Sequence, residues 1–105
     1  MPEQVRNSLI VWETLKVLRD ATEPLTSNAV MDAVRKHLQP TAYENERVKS
    51  GGVRWEVALH FLSGDAVTIG WMTKRGGWSI LRDGAEALEA FTGPELLYSE
   101  LSRRY

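Results

Sequence analysis

Five cations, Arg47, Lys49, Arg54, Lys74 and Arg75, fall in one stretch of the chain, with Val53, Val57 and His60 among them. Each residue type suits one contact with a nucleic acid. An arginine early in a helix can make two parallel hydrogen bonds to the major-groove edge of guanine, and a histidine on the same helix can reach a base edge or a phosphate. A valine there can touch a C5-methyl group, of thymine or of a methylated cytosine. Lysines and arginines on the flanks neutralise phosphates. Arg54, Val53, Val57 and His60 are therefore the candidate base readers. Arg47, Lys49, Ser50, Lys74 and Arg75 are the candidate backbone contacts, Ser50 because free N–H groups at residues 50–53 would open a helix and attract a phosphate. Trp78 is a further candidate, for stacking on a base.

Each of these residues also has an ordinary role. A surface arginine on a helix is commonly solvated, and Val53 and Val57 can pack beneath the neighbouring loop, residues 40–52. Trp71 and Trp78 can fill the space between a hairpin and a helix, and Lys74 and Arg75 suit any exposed turn. The joint reading draws its weight from placing them on one side of one module.

The charge distribution agrees with that placement. Residues 1–46 carry five basic and seven acidic side chains, residues 47–78 five basic and two acidic, and residues 79–105 three basic and five acidic. The net charge is −1, so the one positive segment lies between acidic flanks that would orient a polyanion rather than attract it generally. With 105 residues the chain has room for a single modest core. It has no cysteine, which excludes disulfides and thiolate metal sites and favours a cytoplasmic protein. No run of apolar residues is long enough to span a bilayer, and no signal-peptide pattern opens the chain. The two histidines stand apart, carboxylates are scattered, and neither a nucleophile elbow nor a phosphate loop is present. The expectation is a binding domain without catalytic residues, cofactor or metal.

The elements that must position these residues are legible from periodicity and punctuation. A first helix is expected over 3–20, with Val5, Leu9, Trp12 and Leu15 inward and Val11 and Leu18 at the edges. Thr22-Glu23-Pro24 breaks it. Thr26 or Ser27 caps a second helix that runs to Leu38, with Val30, Ala33, Val34, His37 and Leu38 inward. The polar segment 40–52 reads as a loop with a turn near Tyr43 to Arg47. A third helix opens at Gly51-Gly52, turns Trp55, Leu59, Leu62, Ala66 and Ile69 inward, and ends at Gly70. Trp71-Met72-Thr73 and Trp78-Ser79-Ile80 flank Lys74-Arg75-Gly76-Gly77 as a hairpin. Asp83 is the expected cap of a fourth helix carrying Ala85, Leu88 and Phe91, and a last helix over 94–105 carries Leu97, Tyr98, Leu101 and Tyr105. The fold class is α+β, a winged helix-turn-helix in the order α-α-α-β-β-α-α. Residues 1–93 form the domain, and 94–105 form a C-terminal helix connecting to a further domain.

The stretch SGGVRWEVALHFLSGDAVTIGWMTKRGGWSILRDG, residues 50–84, resembles the N-terminal winged-helix domain of Mrr-type restriction proteins. The likeness rests on Arg54 and Trp55 early in the third helix, on Ala66 to Trp71, on the wing Lys74 to Ile80, and on Gly84 at a helix start. It extends more loosely over residues 5–91, and the tail from Pro94 is similar to the connector of such proteins. Arg82-Asp83-Gly84 departs from the threonine-led pattern of those relatives. The resemblance implies a double-stranded DNA-binding specificity module of a modification-dependent restriction or defence protein, reading a methylated base, with nuclease or ATPase chemistry in a separate downstream domain. A protein–protein interaction winged helix, with a Val53/Val57/Phe61 stripe facing its partner, is the competing expectation.

Overall fold

The computed structural model describes residues 3–105. These form five helices and a two-stranded antiparallel sheet: α1 (Glu3–Asp20), α2 (Ser27–Leu38), α3 (Arg54–Thr68), β1 (Met72–Thr73), β2 (Ser79–Ile80), α4 (Arg82–Ala90) and α5 (Pro94–Arg104). The layout is α+β and mostly helical, in the element order expected from the sequence.

Helix α1 is the central element, packed against α2, α3, α4, α5 and β2. That position explains why its inward face is broader than one apolar stripe. Ile10, Val11, Leu15 and Leu18 are buried, together with Ser8 and Thr14, whereas Val5, Leu9 and Trp12 are only partly buried. The two buried hydroxyls donate within the helix, Ser8 Oγ to the Val5 carbonyl and Thr14 Oγ1 to the Ile10 carbonyl, so neither is left unpaired. Thr26 caps α2 by accepting from the Ala29 N–H at 3.1 Å. On α2, Val30, Val34 and Leu38 are buried as expected. His37 is exposed instead, and Met31 takes the remaining inward position.

The third helix begins at Arg54, later than the glycine-opened start expected from the sequence. Its inward face is otherwise as read, with Trp55, Leu59, Leu62 and Ala66 buried and Ile69 packed beside them. Gly70 follows with φ 85°, and Gly76 and Gly77 turn the hairpin with φ 66° and 106°. Met72 pairs with Ile80 and Thr73 with Ser79. Leu25, in the break between α1 and α2, exchanges both backbone hydrogen bonds with Trp78, at 3.0 and 2.8 Å. This added pairing is why Gly77 lies close to Pro24: an added Cβ would meet Pro24 Cβ at 2.8 Å.

Helix α4 is capped by the backbone of Leu81 with no side-chain bond, so Asp83 lies within its first turn rather than at the cap. Gly84 faces the carbonyl group of Trp71. The helix expected as a connector, α5, docks on α1 and buries Leu97 and Leu101 in the common core, while Tyr105 is exposed.

Candidate nucleic-acid interface

The loop 40–52 is an organised structure whose anchor is an ion pair. Glu44 is buried, and Arg6 of α1 donates to both of its carboxylate oxygens at 2.7 Å. Arg6 also donates to the Leu38 carbonyl, at 3.2 Å, and Glu44 accepts from the Thr41 N–H, at 2.9 Å. The hydrogen bonds from Arg6 are the leading cause that holds the Glu44 carboxyl below its ordinary value, with smaller help from Thr41 and against the opposing effect of burial. Neither residue stood out in the sequence, because partners 38 positions apart leave no local pattern.

This anchored loop closes the start of α3. The Arg54 N–H donates to the Glu46 carbonyl, at 2.9 Å, and the Trp55 N–H to the Glu44 carbonyl, at 3.1 Å. Arg47 pairs with Val53 as an isolated antiparallel bridge, and the Gly51 N–H donates to the Val48 carbonyl. Two of the donors that normally stand free at a helix start are therefore taken by backbone carbonyls. The phosphate site expected at a helix start over residues 50–53 is corrected accordingly, since α3 opens at Arg54 and its first two N–H groups are taken. Ser50 is exposed in the loop, ahead of the helix, and offers its hydroxyl rather than a helix terminus.

Of the candidate base readers, Arg54 is held in place. Its guanidinium carbon lies 4.1 Å from the Tyr43 ring centroid, its Nε donates to the Tyr43 carbonyl at 3.3 Å, and Glu46 Oε1 is 3.9 Å from Nη2. This fixes a side chain that would otherwise sample many rotamers. Val53 is partly buried against the core, and Val57 lies beneath the loop, since a Cβ on Gly52 would come within 2.7 Å of Val57 Cγ2. Both valines are thus partly committed to the packing role that the sequence also allowed, and each keeps part of its surface exposed.

His60 is exposed one turn further along and meets the hairpin. Its ring stands edge-on to Trp78, with centroids 5.9 Å apart and planes at 76°. The Lys74 Nζ lies over the same indole, 4.3 Å from the centroid. Trp78 is only 6% exposed, so it is a packed support for His60 and Lys74 and has no open face for a base. That corrects the stacking role expected of it. Arg75 is exposed at the hairpin turn and Lys49 in the loop, and neither side chain has an acidic partner among the described residues. Arg47 is exposed and donates to the Gly51 carbonyl at 2.5 Å. Arg54, Val57 and His60 therefore succeed one another along α3, with the loop meeting the helix at Val57 and the hairpin meeting it at His60. Phe61, beside His60, is 74% exposed.

Burial is the main cause that holds the His60 pKa below its ordinary 6.5. Lys74 lowers it further, and Glu56 partly opposes the shift. A histidine depressed in the folded state is protonated first in the unfolded chain, so it costs stability as pH falls below 6.5 and contributes nothing above it. Thermal melts from pH 7 to 5 are expected to show a smaller acid-side loss for His60→Gln than for the parent chain. Identical slopes would contradict this placement of His60.

No helix among the described residues is long and apolar enough to cross a membrane. The chain matches no protein-family model, no curated protein and no solved structure.

Proposed function

We propose that this chain is a winged-helix domain that binds double-stranded DNA, with α3 in the major groove and the β1–β2 hairpin as its wing. It is a binding domain rather than an enzyme, and it serves as the specificity module of a cytoplasmic restriction or defence protein whose nuclease or ATPase chemistry lies in another domain. The observation that carries the reading is that α3 presents Arg54 and His60 while the loop and the hairpin that adjoin it carry four further cations. Arg54 and His60 lie on the exposed side of α3, Lys49 and Arg47 on the loop at its start, and Lys74 and Arg75 on the hairpin beside His60. The Leu25–Trp78 bridge ties the break between α1 and α2 to the hairpin, which suits a wing held against the helices.

In this reading Arg54, presented on Tyr43, reads a guanine, and His60 makes one hydrogen bond at a base edge. Lys74, Arg75, Lys49 and Arg47 hold phosphates. Val57 is left as the methyl-contacting residue for a methylated base. Four to five such cations imply a slope of log affinity on log salt of roughly −4.

Duplexes that are unmodified, carry 5-methylcytosine or carry N6-methyladenine test the reading when titrated at two salt concentrations. Lys74→Ala with Arg75→Ala is expected to weaken binding to all three alike and to reduce the salt slope by roughly 2, whereas Arg54→Ala relaxes discrimination between sequences. Absence of binding to every duplex at low salt would end the DNA reading. Equal affinity for the three would remove the methylated base from it.

The exposure of Phe61 favours one second reading, a protein partner seated on Val57 and Phe61. Phe61→Ser separates the two, since it spares phosphate contacts and removes an apolar anchor.

A further inference from the structure

Phe61 is the most exposed large apolar side chain among the described residues, 74% open to solvent. It takes no part in the core that α3 fills with Trp55, Leu59, Leu62 and Ala66. It lies seven residues beyond Arg54, and a helix returns to nearly the same face after seven, offset by about 20°. Arg54, Val57 and Phe61 therefore form one row on the outward side of α3, with His60 on its flank. Gly64 continues the row, and an added Cβ there would meet nothing within 4 Å. The surface beside the Phe61 ring is bare, so a partner can approach the helix backbone closely.

The charges around this row indicate what covers it. Arg54 and His60 share the helix, Lys49 and Arg47 the loop at its start, and Lys74 and Arg75 the hairpin beside His60. Glu56 is turned to Arg35 of α2, at 3.4 Å, and does not offset them. The other acid of α3, Asp65, lies one turn past Phe61 and limits how far a polyanion extends along the helix. An apolar ring set among cations suits a duplex groove, whose base edges carry one kind of apolar group, the methyl.

We infer that Phe61 reads the C5-methyl group of a pyrimidine in the major groove, in thymine or in 5-methylcytosine. This deepens the DNA reading and rests on it. Phenylalanine is among the side chains suited to that methyl. Val57, partly buried beneath the loop, offers only part of its surface to the same groove. N6-methyladenine fits less well, because adenine is paired by asparagine or glutamine, and α3 has neither. Spacing adds a second constraint. Seven residues of helix rise about 10.5 Å, close to three base-pair steps of about 3.4 Å. With α3 along the groove, the methyl lies about three base pairs from the guanine held by Arg54.

The test begins with duplexes that bind. Random-sequence duplexes are partitioned on the protein, and the strongest binder is remade with deoxyuridine for each thymine in turn and with 5-methylcytosine for each cytosine. Deoxyuridine differs from thymine only by the missing methyl. One position is expected to show a methyl preference of roughly fourfold, the effect of burying one methyl group. A loss with deoxyuridine identifies thymine as its source, and a gain with 5-methylcytosine identifies the modified base. Phe61→Ser is expected to remove the preference, leave the slope of log affinity on log salt unchanged, and keep the parent Tm because the side chain is exposed. Arg54→Ala is expected to relax discrimination about three base pairs away. The inference is overturned if no position prefers a methyl, if the preference survives in Phe61→Ser, or if Arg54→Ala relaxes discrimination at the methyl position itself. Each of those results leaves duplex binding standing. Failure to recover any binding duplex at low salt ends the DNA reading, and the inference with it.

Discussion

Replacing Gly84 with alanine is expected to lower the stability of the folded domain by about 3 kcal/mol, whereas the same change at Gly64 raises it by about 0.5 kcal/mol. Both glycines lie inside helices, Gly64 in α3 and Gly84 in α4, so a propensity argument treats them alike. Their surroundings differ. An added Cβ at Gly64 meets nothing within 4 Å, but at Gly84 it would overlap the Trp71 carbonyl oxygen and lie 3.0 Å from the carbonyl carbon. Trp71 is 1% exposed, and its carbonyl accepts from the Leu81 N–H at 2.9 Å, so the group cannot retreat without breaking the link between hairpin and helix. Relief must come from moving α4 away from the core. For a domain of this size the change corresponds to a fall in Tm of roughly 10–20 °C. Thermal and denaturant unfolding of the two variants checks both signs, and a Gly84→Ala loss under about 1 kcal/mol would show that α4 shifts freely.

The second large effect is expected at the Arg6–Glu44 pair. Side-chain exposures of 18% and 12% show that solvent still reaches part of it. Glu44→Ala leaves the Arg6 guanidinium half-buried with one remaining acceptor, Leu38, and leaves the Thr41 N–H unpaired. We expect a loss of about 2 kcal/mol, below the figure for a fully buried pair. The double variant Arg6→Met, Glu44→Ala should recover part of that loss, because no uncompensated charge remains. If the double variant is no more stable than Glu44→Ala, the pair does not act as a unit.

Acid provides a second probe of the same pair. A carboxyl whose folded pKa is lowered contributes stability that is fully present above its ordinary value of 4.5 and disappears as pH falls through the lower folded value. The parent chain should therefore lose more stability than Glu44→Ala between pH 5 and 2. Loss of the anchor also frees the carbonyls that close α3, so duplex affinity is expected to fall several-fold although neither residue is a proposed DNA contact.

The core was legible in local pattern, and the contacts between distant segments were not. Trp55, Leu59, Leu62 and Ala66 recur at helical spacing because a helix must turn one face to the interior, and that constraint is written within a few turns of chain. Prolines, glycines and Thr26 placed the breaks and the α2 cap for equally local reasons. His37 was misassigned because periodicity locates a stripe only to within one neighbouring position, and packing with α1 chose Met31. Trp78 stayed open between packing and stacking because a tryptophan in a hairpin carries no mark of which side is covered. Leu25, His60 and Lys74 cover it from three separate segments.

By itself, then, the sequence determined the order of five helices and a glycine-turned hairpin, the inward face of α3, and the confinement of positive charge to residues 47–78. These follow from spacing, backbone freedom and charge count, all properties of neighbours along the chain. Tertiary structure alone decided that Glu44 is buried on Arg6, that loop carbonyls rather than a phosphate close the start of α3, and that Arg54 is set on Tyr43. It also decided that the Trp55 indole N–H is buried without an acceptor. Each of those depends on groups from separate segments meeting in the fold, some of them where little solvent reaches. There a single hydrogen bond made or missing outweighs any local preference.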